Sequence, residues 1–290
     1  MRGILVYNIQ YKNNVTWKSQ ISSYVESFKK LGVELKPIDQ IEASIESSKI
    51  AKNFNFVLFY DKDVDLAKTL EILGLKVFNS SDSIRLADDK GTSFLMFEKY
   101  KIPTPKTYII PNFYYQNASE FASELENAFT KNKFNFPFVL KSRKSSFGEG
   151  VYLCKNRNDF EKLLKKHKEE KFIIQNFIKK KKEAIDYRLV VVDKKIICAV
   201  IRKNKKDFRC NSQYGAEWSE LKIIPSELKE VAFKVCEKFG LVFAAIDFIK
   251  DKNKYFVLDV NSNLFTSKIS KICNISVTDF IAKTIIKKLK

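Results

Sequence analysis

Asp247, Asp259 and Asn261 are embedded in AAIDFIKDKNKYFVLDVNSN, residues 244–263, which reads as strand, turn at about Asp251 to Asn253, strand. In a hairpin, residues of like parity face one side when paired numbers have an even sum, and a turn centred on a residue gives that sum. The three polar side chains then share a face, with Asp247 opposite or diagonal to Asp259, roughly 5 to 8 Å away between Cβ atoms. Two carboxylates so placed repel each other and lose hydration, and a cation is the simplest compensation. Hard oxygen donors suit Mg²⁺, which one or two carboxylates hold together with waters and substrate phosphates. A surface hairpin with its polar residues outward is the plain alternative. Against it, Ala244, Ala245, Ile246, Phe248, Val257, Leu258 and Val260 surround the acids and predict burial.

Magnesium implies a phosphate nearby. In FPFVLKSRKSSFGEGVYLC a strand ends in Lys141 and turns through a loop carrying Gly148 and Gly150 into a second strand. Such loops let backbone N–H groups approach phosphate oxygens, and Lys141 adds a point charge. Neither a Walker A motif nor a dinucleotide fingerprint is present, and G-E-G alone reads better as an ordinary hairpin loop. Other donors add weight to the phosphate reading. Arg202 ends a strand, and FRCNS presents Arg209 and Asn211, whose guanidinium and amide match phosphate or carboxylate. Asp186 and Arg188 alternate with apolar residues, so they share a face and could pair with each other. FIIQNFI resembles a buried strand leading to a hinge whose backbone could read an adenine edge; ordinary core is the alternative.

The elements that must position these residues fall into two patterns. GILVYN reads as a strand, Trp17 to Leu31 as an amphipathic helix, Asn53 to Tyr60 as a buried strand, Leu66 to Leu73 as a helix and LKVFN as a strand. This β-α-β-α-β order predicts a parallel sheet with covered faces. From about residue 88 the pattern changes. Asp88 or Asp89 can cap a helix to Tyr100, and Pro103 and Pro105 force an extended segment into TYII. FPFVLK, VYLCK, a helix, FIIQNFI, DYRLVVVD and KKIICAVIRK then read as antiparallel α+β structure. Ser226 is expected to cap a helix that ends at Gly240.

Composition limits the chemistry further. The 290 residues are 45% hydrophobic, enough for a sizeable core, and no run approaches the roughly 18 apolar residues of a membrane span. No signal-peptide pattern follows Met1, so the cytoplasm is the default expectation. The five cysteines are dispersed, which suits reduced thiols. His167, the single histidine, argues against zinc or a Ser-His triad and is expected to be a solvated helix residue. The 53 Lys+Arg against 34 Asp+Glu leave a net +19, spread along the chain with one dense run at Lys179 to Lys182. Such a field draws acidic substrates, and spread lysine reads as solvated surface rather than a nucleic-acid stripe.

Taken in order, these stretches resemble the ATP-grasp ligases, in particular the RimK-like branch that joins glutamate or related amino acids to carboxylates. The resemblance runs from about Val77 to Asn263. NSSDSIRLADDK with IPTPKT is similar to the family's entry segment, FPFVLKSRKSSFGEGV to its phosphate loop and IIQNFI to its adenine hinge. IDYRLVVVDKKIICAVIRK is similar to its central strands, DFRCN to its nucleotide and phosphate reader, and AAIDF with LDVNSN to its metal pair. It implies an α/β and α+β architecture: a pre-ATP-grasp domain over residues 1–87 and an ATP-grasp domain over 88–290. The latter would comprise a lid subdomain at about 103–176 and a C-terminal subdomain at about 177–290, clamping ATP between them.

By the same resemblance Lys90 and Lys141 would meet ATP phosphates beside Gly148 and Gly150, Asn176 and Phe177 the adenine, and Asp186 the ribose. Arg202, Arg209 and Asn211, with Cys210 between them, would handle the phosphate end and the reacting carboxylate. Asp247, Asp259 and Asn261 would hold one or two Mg²⁺, with Mn²⁺ as a substitute, and Arg188 and Asn263 would face the substrate. The implied partners are a small amino acid and a carboxylate acceptor on a peptide, protein or coenzyme. Neither membrane nor nucleic acid is implied, and the oligomeric state, a homo-oligomer included, stays open. The sequence departs from the family in three places: Asp259 stands for a glutamate, Asn176 for an acidic hinge residue, and Leu264-Phe265 for Pro-Gly. An ATP-binding relative without ligase activity and a basic nucleic-acid-binding module are the alternatives to a ligase.

Overall fold

Three sheets follow one another along the chain. A computed structural model of the protein describes residues 1–111, 118–167, 169–178 and 182–290, Ala118 by its backbone alone. Lys179, Lys180 and Lys181 of the basic run therefore lie outside the described residues.

The first sheet is parallel, in the order β2-β1-β3-β4: β1 (Arg2–Tyr7), β2 (Glu34–Asp39), β3 (Phe56–Tyr60) and β4 (Lys76–Phe78). β3 is buried at every residue, as a central strand covered on both faces must be. β2 and the short helices Gln40–Ile45 and Ser47–Asn53 lie in the stretch where periodicity gave no signal, and Asn53 ends a helix while β3 starts at Phe56. The helix Val15–Lys29, capped by Asn14, turns Ile21, Tyr24 and Phe28 onto the sheet.

The second sheet is antiparallel, in the order β5-β8-β6-β7: β5 (Thr107–Ile109), β6 (Phe138–Ser142), β7 (Val151–Cys154) and β8 (Phe172–Asn176). Helices Ala118–Lys131 and Arg157–Lys166 accompany it, and Phe129, Phe134, Phe138 and Phe160 fill the core between them. His167 ends the second of these helices. It is half-buried and bonded to Tyr152 Oη at 3.1 Å and Glu170 Oε1 at 2.9 Å, so the solvated position expected for it is corrected. Its charged sequence neighbours hid two partners that arrive through the fold.

The third sheet has the order β11-β10-β9-β12-β13: β9 (Ala184–Val192), β10 (Lys195–Asn204), β11 (Glu217–Glu220), β12 (Phe243–Asp251) and β13 (Lys254–Asn261), all antiparallel to their neighbours. The helix Ser226–Phe239 covers one face with Leu228, Ala232, Val235, Cys236 and Phe239, and Gly240 ends it at φ +66°. Its N-cap is Pro225 with no side-chain cap; Ser226 is the first helical residue rather than the cap. All five cysteines are free thiols.

The first and third sheets share a core. The C-terminal helix Val277–Leu289 packs on Val15–Lys29, and Val190, Phe243 and Ala245 join Leu5, Phe28 and Phe56 in one apolar cluster. Asn79 seals the joint by accepting from Val242 N at 2.8 Å and donating to the carbonyls of Phe243 and Ser262 at 2.9 and 3.0 Å. Tyr60 Oη donates to Leu264 O at 3.0 Å, which ties the end of β3 to the loop leaving β13. Among the described residues no helix is long and apolar enough to cross a membrane.

Candidate active site

The acids that opened the sequence reading do share a face, for a reason other than the one expected. The turn after β12 has two residues, since Asp251 pairs with Lys254, and an odd sum would have put Asp247 and Asp259 on opposite sides. A bulge at Leu258 shifts the register, so Asp247 lies directly opposite Asp259 and Ala245 opposite Asn261.

That face continues across the sheet as a row of charges. Arg188 of β9 lies opposite Asp247, and Arg202 of β10 opposite Asp186. Arg188 donates from Nε and Nη2 to the two oxygens of Asp247 at 2.6 and 2.7 Å, while Arg202 grips Asp186 in the same way at 2.5 and 2.7 Å. Arg202 Nη2 also reaches Asp247 Oδ2 at 3.0 Å. The expected pairing of Asp186 with Arg188 is thus replaced by pairings across strands, where side chains directly opposite stand closer than i, i+2 neighbours. Guanidinium groups supply the cation that buried Asp247 requires. Burial pushes its pKa up, and the two arginines outweigh this and hold the carboxyl below its usual value. Burial dominates for Asp186, whose carboxyl is held above the usual value despite Arg202.

Arg202 is only 2% exposed, and its Nη1 has no hydrogen-bond partner among the described residues. A buried guanidinium N–H left over from two carboxylates is ready for an incoming oxyanion. Asp259 contrasts with Asp247: it is half-buried and makes no ion pair or side-chain hydrogen bond among the described residues. Asn261 donates weakly from Nδ2 to Ala245 O at 3.4 Å, which leaves its carbonyl oxygen uncommitted. Two available oxygen donors, one carboxylate and one amide, with the second carboxylate, Asp247, behind them fit a hard divalent ion. Among the described residues no cluster of three or more His, Cys, Asp or Glu side chains is placed to hold a metal, so the amide of Asn261 has to complete the set.

The second sheet faces this row with cations. Lys141 on β6 is 8% exposed and donates to Gln175 Oε1 at 2.6 Å. Burial, with Lys90 adding to it and Asp259 and Asp247 opposing, pushes its pKa down to about 8. Asp89 caps the helix Lys90–Lys99 through Gly91 N and Thr92 N and takes both Nε and Nη2 of Arg143 at 2.8 Å, which ties the helix start to the beginning of the glycine loop. Lys90 Nζ reaches Ser145 O at 2.7 Å.

Gly148 has φ +83°, and a Cβ there would stand 2.7 Å from Asn211 Oδ1 and 2.8 Å from Tyr214 Cε2. The loop is therefore pressed against the segment after β10. Arg209 fastens it from that side: Nη1 donates to the carbonyls of Gly148 and Val151 at 3.3 Å each, with the guanidinium held by Asp207 and stacked 3.4 Å above Tyr214.

A cavity of about 430 Å³ joins these parts. Lys90, Lys141, Gly148, Asn176, Phe177, Asp186, Arg188, Arg202, Arg209, Cys210, Asn211, Asp247, Asp259, Asn261 and Asn263 all line it; Gly150 does not. Gly150, at φ +63° with Ser142 Cβ 2.8 Å from where a Cβ would be, serves the closure of the loop instead. Sequence reasoning missed the wall that the first sheet contributes: Asn8, Tyr11, Trp17, Asp61 and Lys62. Phe265 joins that wall, with its ring 5.1 Å from Trp17, which also meets Phe147 of the glycine loop at 6.0 Å. Residues so far apart in sequence leave no local signal, although Asp61, directly behind an apolar strand, could have been suspected.

Comparison with known proteins gives this arrangement a context. A model of the RimK-like ATP-grasp domain matches residues 87–287. The chain is 30% identical to coenzyme gamma-F420-2:alpha-L-glutamate ligase of Methanocaldococcus jannaschii over 223 residues, 76% of this chain and 73% of that one. It is 26% identical to alpha-aminoadipate–LysW ligase LysX of Saccharolobus solfataricus over 270 residues, 89% and 93% of the two chains. A RimK domain ATP-grasp protein from Sphaerobacter thermophilus superposes with a TM-score of 0.72 at 19% identity, covering 98% of this chain and 99% of that one, a likeness of fold.

Proposed function

Since the chain belongs to the RimK-like ATP-grasp family, we propose that it is an ATP- and Mg²⁺-dependent carboxylate–amine ligase. The observation that carries the reading is one cavity in which two lysines, a glycine loop and a buried arginine face a carboxylate–amide pair free to take a metal. The relatives' names support adding an amino acid such as glutamate to a carboxylate on a peptide, protein or coenzyme.

Amide formation from a free carboxylate is unfavourable in water, so the carboxylate first takes the γ-phosphoryl group of ATP. An amine then attacks the acyl phosphate, the C–N bond forms as the C–O bond to phosphate breaks, and the amine proton passes to solvent. Asp259 and Asn261, with Asp247 behind them, would hold Mg²⁺ or Mn²⁺. When bound, the ion neutralises charge on the phosphate oxygens. Lys90 and Lys141 receive the phosphates, Asn176 and Phe177 receive the adenine, and the spare N–H of Arg202 receives the oxygen on which negative charge grows. Asn211 lies against Gly148 and completes the phosphate end, Asp186 lies towards the ribose, and Arg188 and Asn263 face the reacting carboxylate.

ADP and phosphate release over a panel of amino acids paired with carboxylate acceptors tests the proposal, with mass spectrometry of the products. A mass increase of one amino acid residue less water on an acceptor is the expected result. ATP and Mg²⁺ binding with no release across the panel would favour a nucleotide-binding protein without ligase activity.

A further inference from the structure

Of the acids lining the cavity that this chemistry does not use, Glu183 and Asp207 are held in ion pairs with Lys203 and Arg209, and Asp61 is in none among the described residues. Asp61 is 7% exposed and lines the cavity. Its Oδ1 accepts from Lys62 N and Asp63 N at 2.5 and 3.1 Å, while Oδ2 is buried with no hydrogen-bond partner among the described residues. Asp186, Asp207 and Asp247 are each gripped by an arginine in the same cavity; Asp61 has no ion pair among the described residues. A buried carboxylate oxygen without a donor is costly, and a ligand that brings one recovers the loss.

Its position in the fold points to a ligand as well. The first sheet runs β2-β1-β3-β4, so the chain reverses its direction of growth between β1 and β3, and Tyr7 pairs with Tyr60 there. Asn8 and Asp61 are the next residues of those two strands. In an open parallel sheet the crevice beyond the carboxyl ends of the strands at such a reversal is where ligands sit. Tyr11 and Trp17, stacked with centroids 3.8 Å apart, flank the same crevice with aromatic surface, which favours a cation.

We infer that Asp61 Oδ2 receives the primary ammonium of an amino-acid reactant. The cavity is then bipolar: Lys90, Lys141 and the spare N–H of Arg202 attract the anionic groups, and the Asp61 end, where Lys62 is already paired with Asp88 at 2.8 Å, draws the ammonium towards the first sheet. A zwitterion enters in one orientation only. That this amino acid is a reactant rests on the ligase reading; that its ammonium is bound is measured separately.

The test is calorimetric titration, in the presence of Mg²⁺ and a non-hydrolysable ATP analogue, with the twenty standard L-amino acids. Each one that binds is compared with its counterpart lacking the ammonium, such as glutarate for glutamate. We expect at least one binder, with the counterpart about tenfold or more weaker on the wild type. In Asp61→Asn that ratio falls towards one while affinity for the ATP analogue, which reports folding, is kept. Asp61→Ser, which keeps an acceptor for the two backbone N–H groups, is the second variant and should lose the ratio likewise. Equal binding of amino acid and counterpart by the wild type, an unchanged ratio in a folded variant, or no amino acid bound at all overturns the inference. ADP release from the same amino acids, each paired with the carboxylate acceptors, separates the two readings. A discriminating binder that never triggers release would sink the ligase and leave the ammonium site standing; release without discrimination would do the reverse.

Discussion

Asp247 and Asp259 face each other across two strands, yet the middle of the third sheet and its β13 edge treat the same side chain in opposite ways. In the middle, β9 and β10 bring two guanidiniums to Asp247 on β12, and the acid is a structural link in a closed set of ion pairs. At the edge there is no further strand to supply an arginine, so Asp259 is left to face the cations of the second sheet across the cavity. Sheet order thus decides which carboxylate is spent on the fold and which is kept for a ligand. A row of alternating charges is compensated wherever it has neighbours on both sides and chemically available where it ends.

Asp247→Asn should break the comparison most severely. It leaves Arg188 and Arg202 buried without their full counter-charge, and removing one partner of a buried pair costs about 3–5 kcal/mol. As a candidate Mg²⁺ ligand, Asp247 predicts loss of Mg²⁺-dependent turnover in this variant, and its two arginines predict a lower melting temperature as well. Chemical denaturation beside a turnover assay checks both effects, and wild-type stability in the variant would mean that the pairs contribute nothing net.

Asp259→Asn should show the reverse pattern. With no ion pair to lose, the variant should keep its stability to within about 0.5 kcal/mol. The Mg²⁺ concentration needed for half-maximal turnover should rise by about tenfold or more, since a carboxylate ligand becomes an amide. Melting curves and magnesium titrations of the two variants side by side give the contrast. Equal destabilisation by both would erase the distinction between middle and edge.

How much of this was legible in the sequence follows the same division. Alternation on β9, β10, β12 and β13 placed the acids and arginines on strands, because a period of two is a local property. Their partners were not legible: Asp186 with Arg188 looked like a pair, and only strand order shows that each belongs to a residue opposite. The shared face of Asp247 and Asp259 rested on a supposed turn, and a bulge at Leu258 produced it instead, a backbone event with no residue signature there. The glycine loop and Lys141 were readable from strand–loop–strand spacing, whereas Asn8, Tyr11, Trp17 and Asp61 come together only when the first sheet docks on the third. The aromatic Phe265, one of the departures from the family pattern, packs on Trp17 in that docked wall. Asn53, placed in a strand by its apolar surroundings, ends a helix because it directly precedes the Phe54–Asn55 link into β3.

The smallest effect concerns the cation facing that edge. Burial lowers the pKa of Lys141 from its ordinary 10.5 to about 8, so two pH trends run in opposite directions. For stability, the unfolded chain binds the proton more tightly between about 8 and 10.5. The folding penalty of the buried charge is therefore fully present below about 8 and relieved as pH rises towards 10.5. For nucleotide binding, the charge that meets the phosphates is lost over the same interval, so ATP affinity should decline as pH rises through about 8. A bound triphosphate favours the ammonium and raises its pKa again, so binding near pH 8 should take up about half a proton. Calorimetry in buffers of different ionisation enthalpy measures that uptake directly. Lys141→Arg, charged throughout the range, should abolish the uptake and flatten the pH dependence, and Lys141→Ala should weaken ATP binding at pH 7. An uptake that persists in Lys141→Arg would assign the proton to another group and remove Lys141 from the phosphate site.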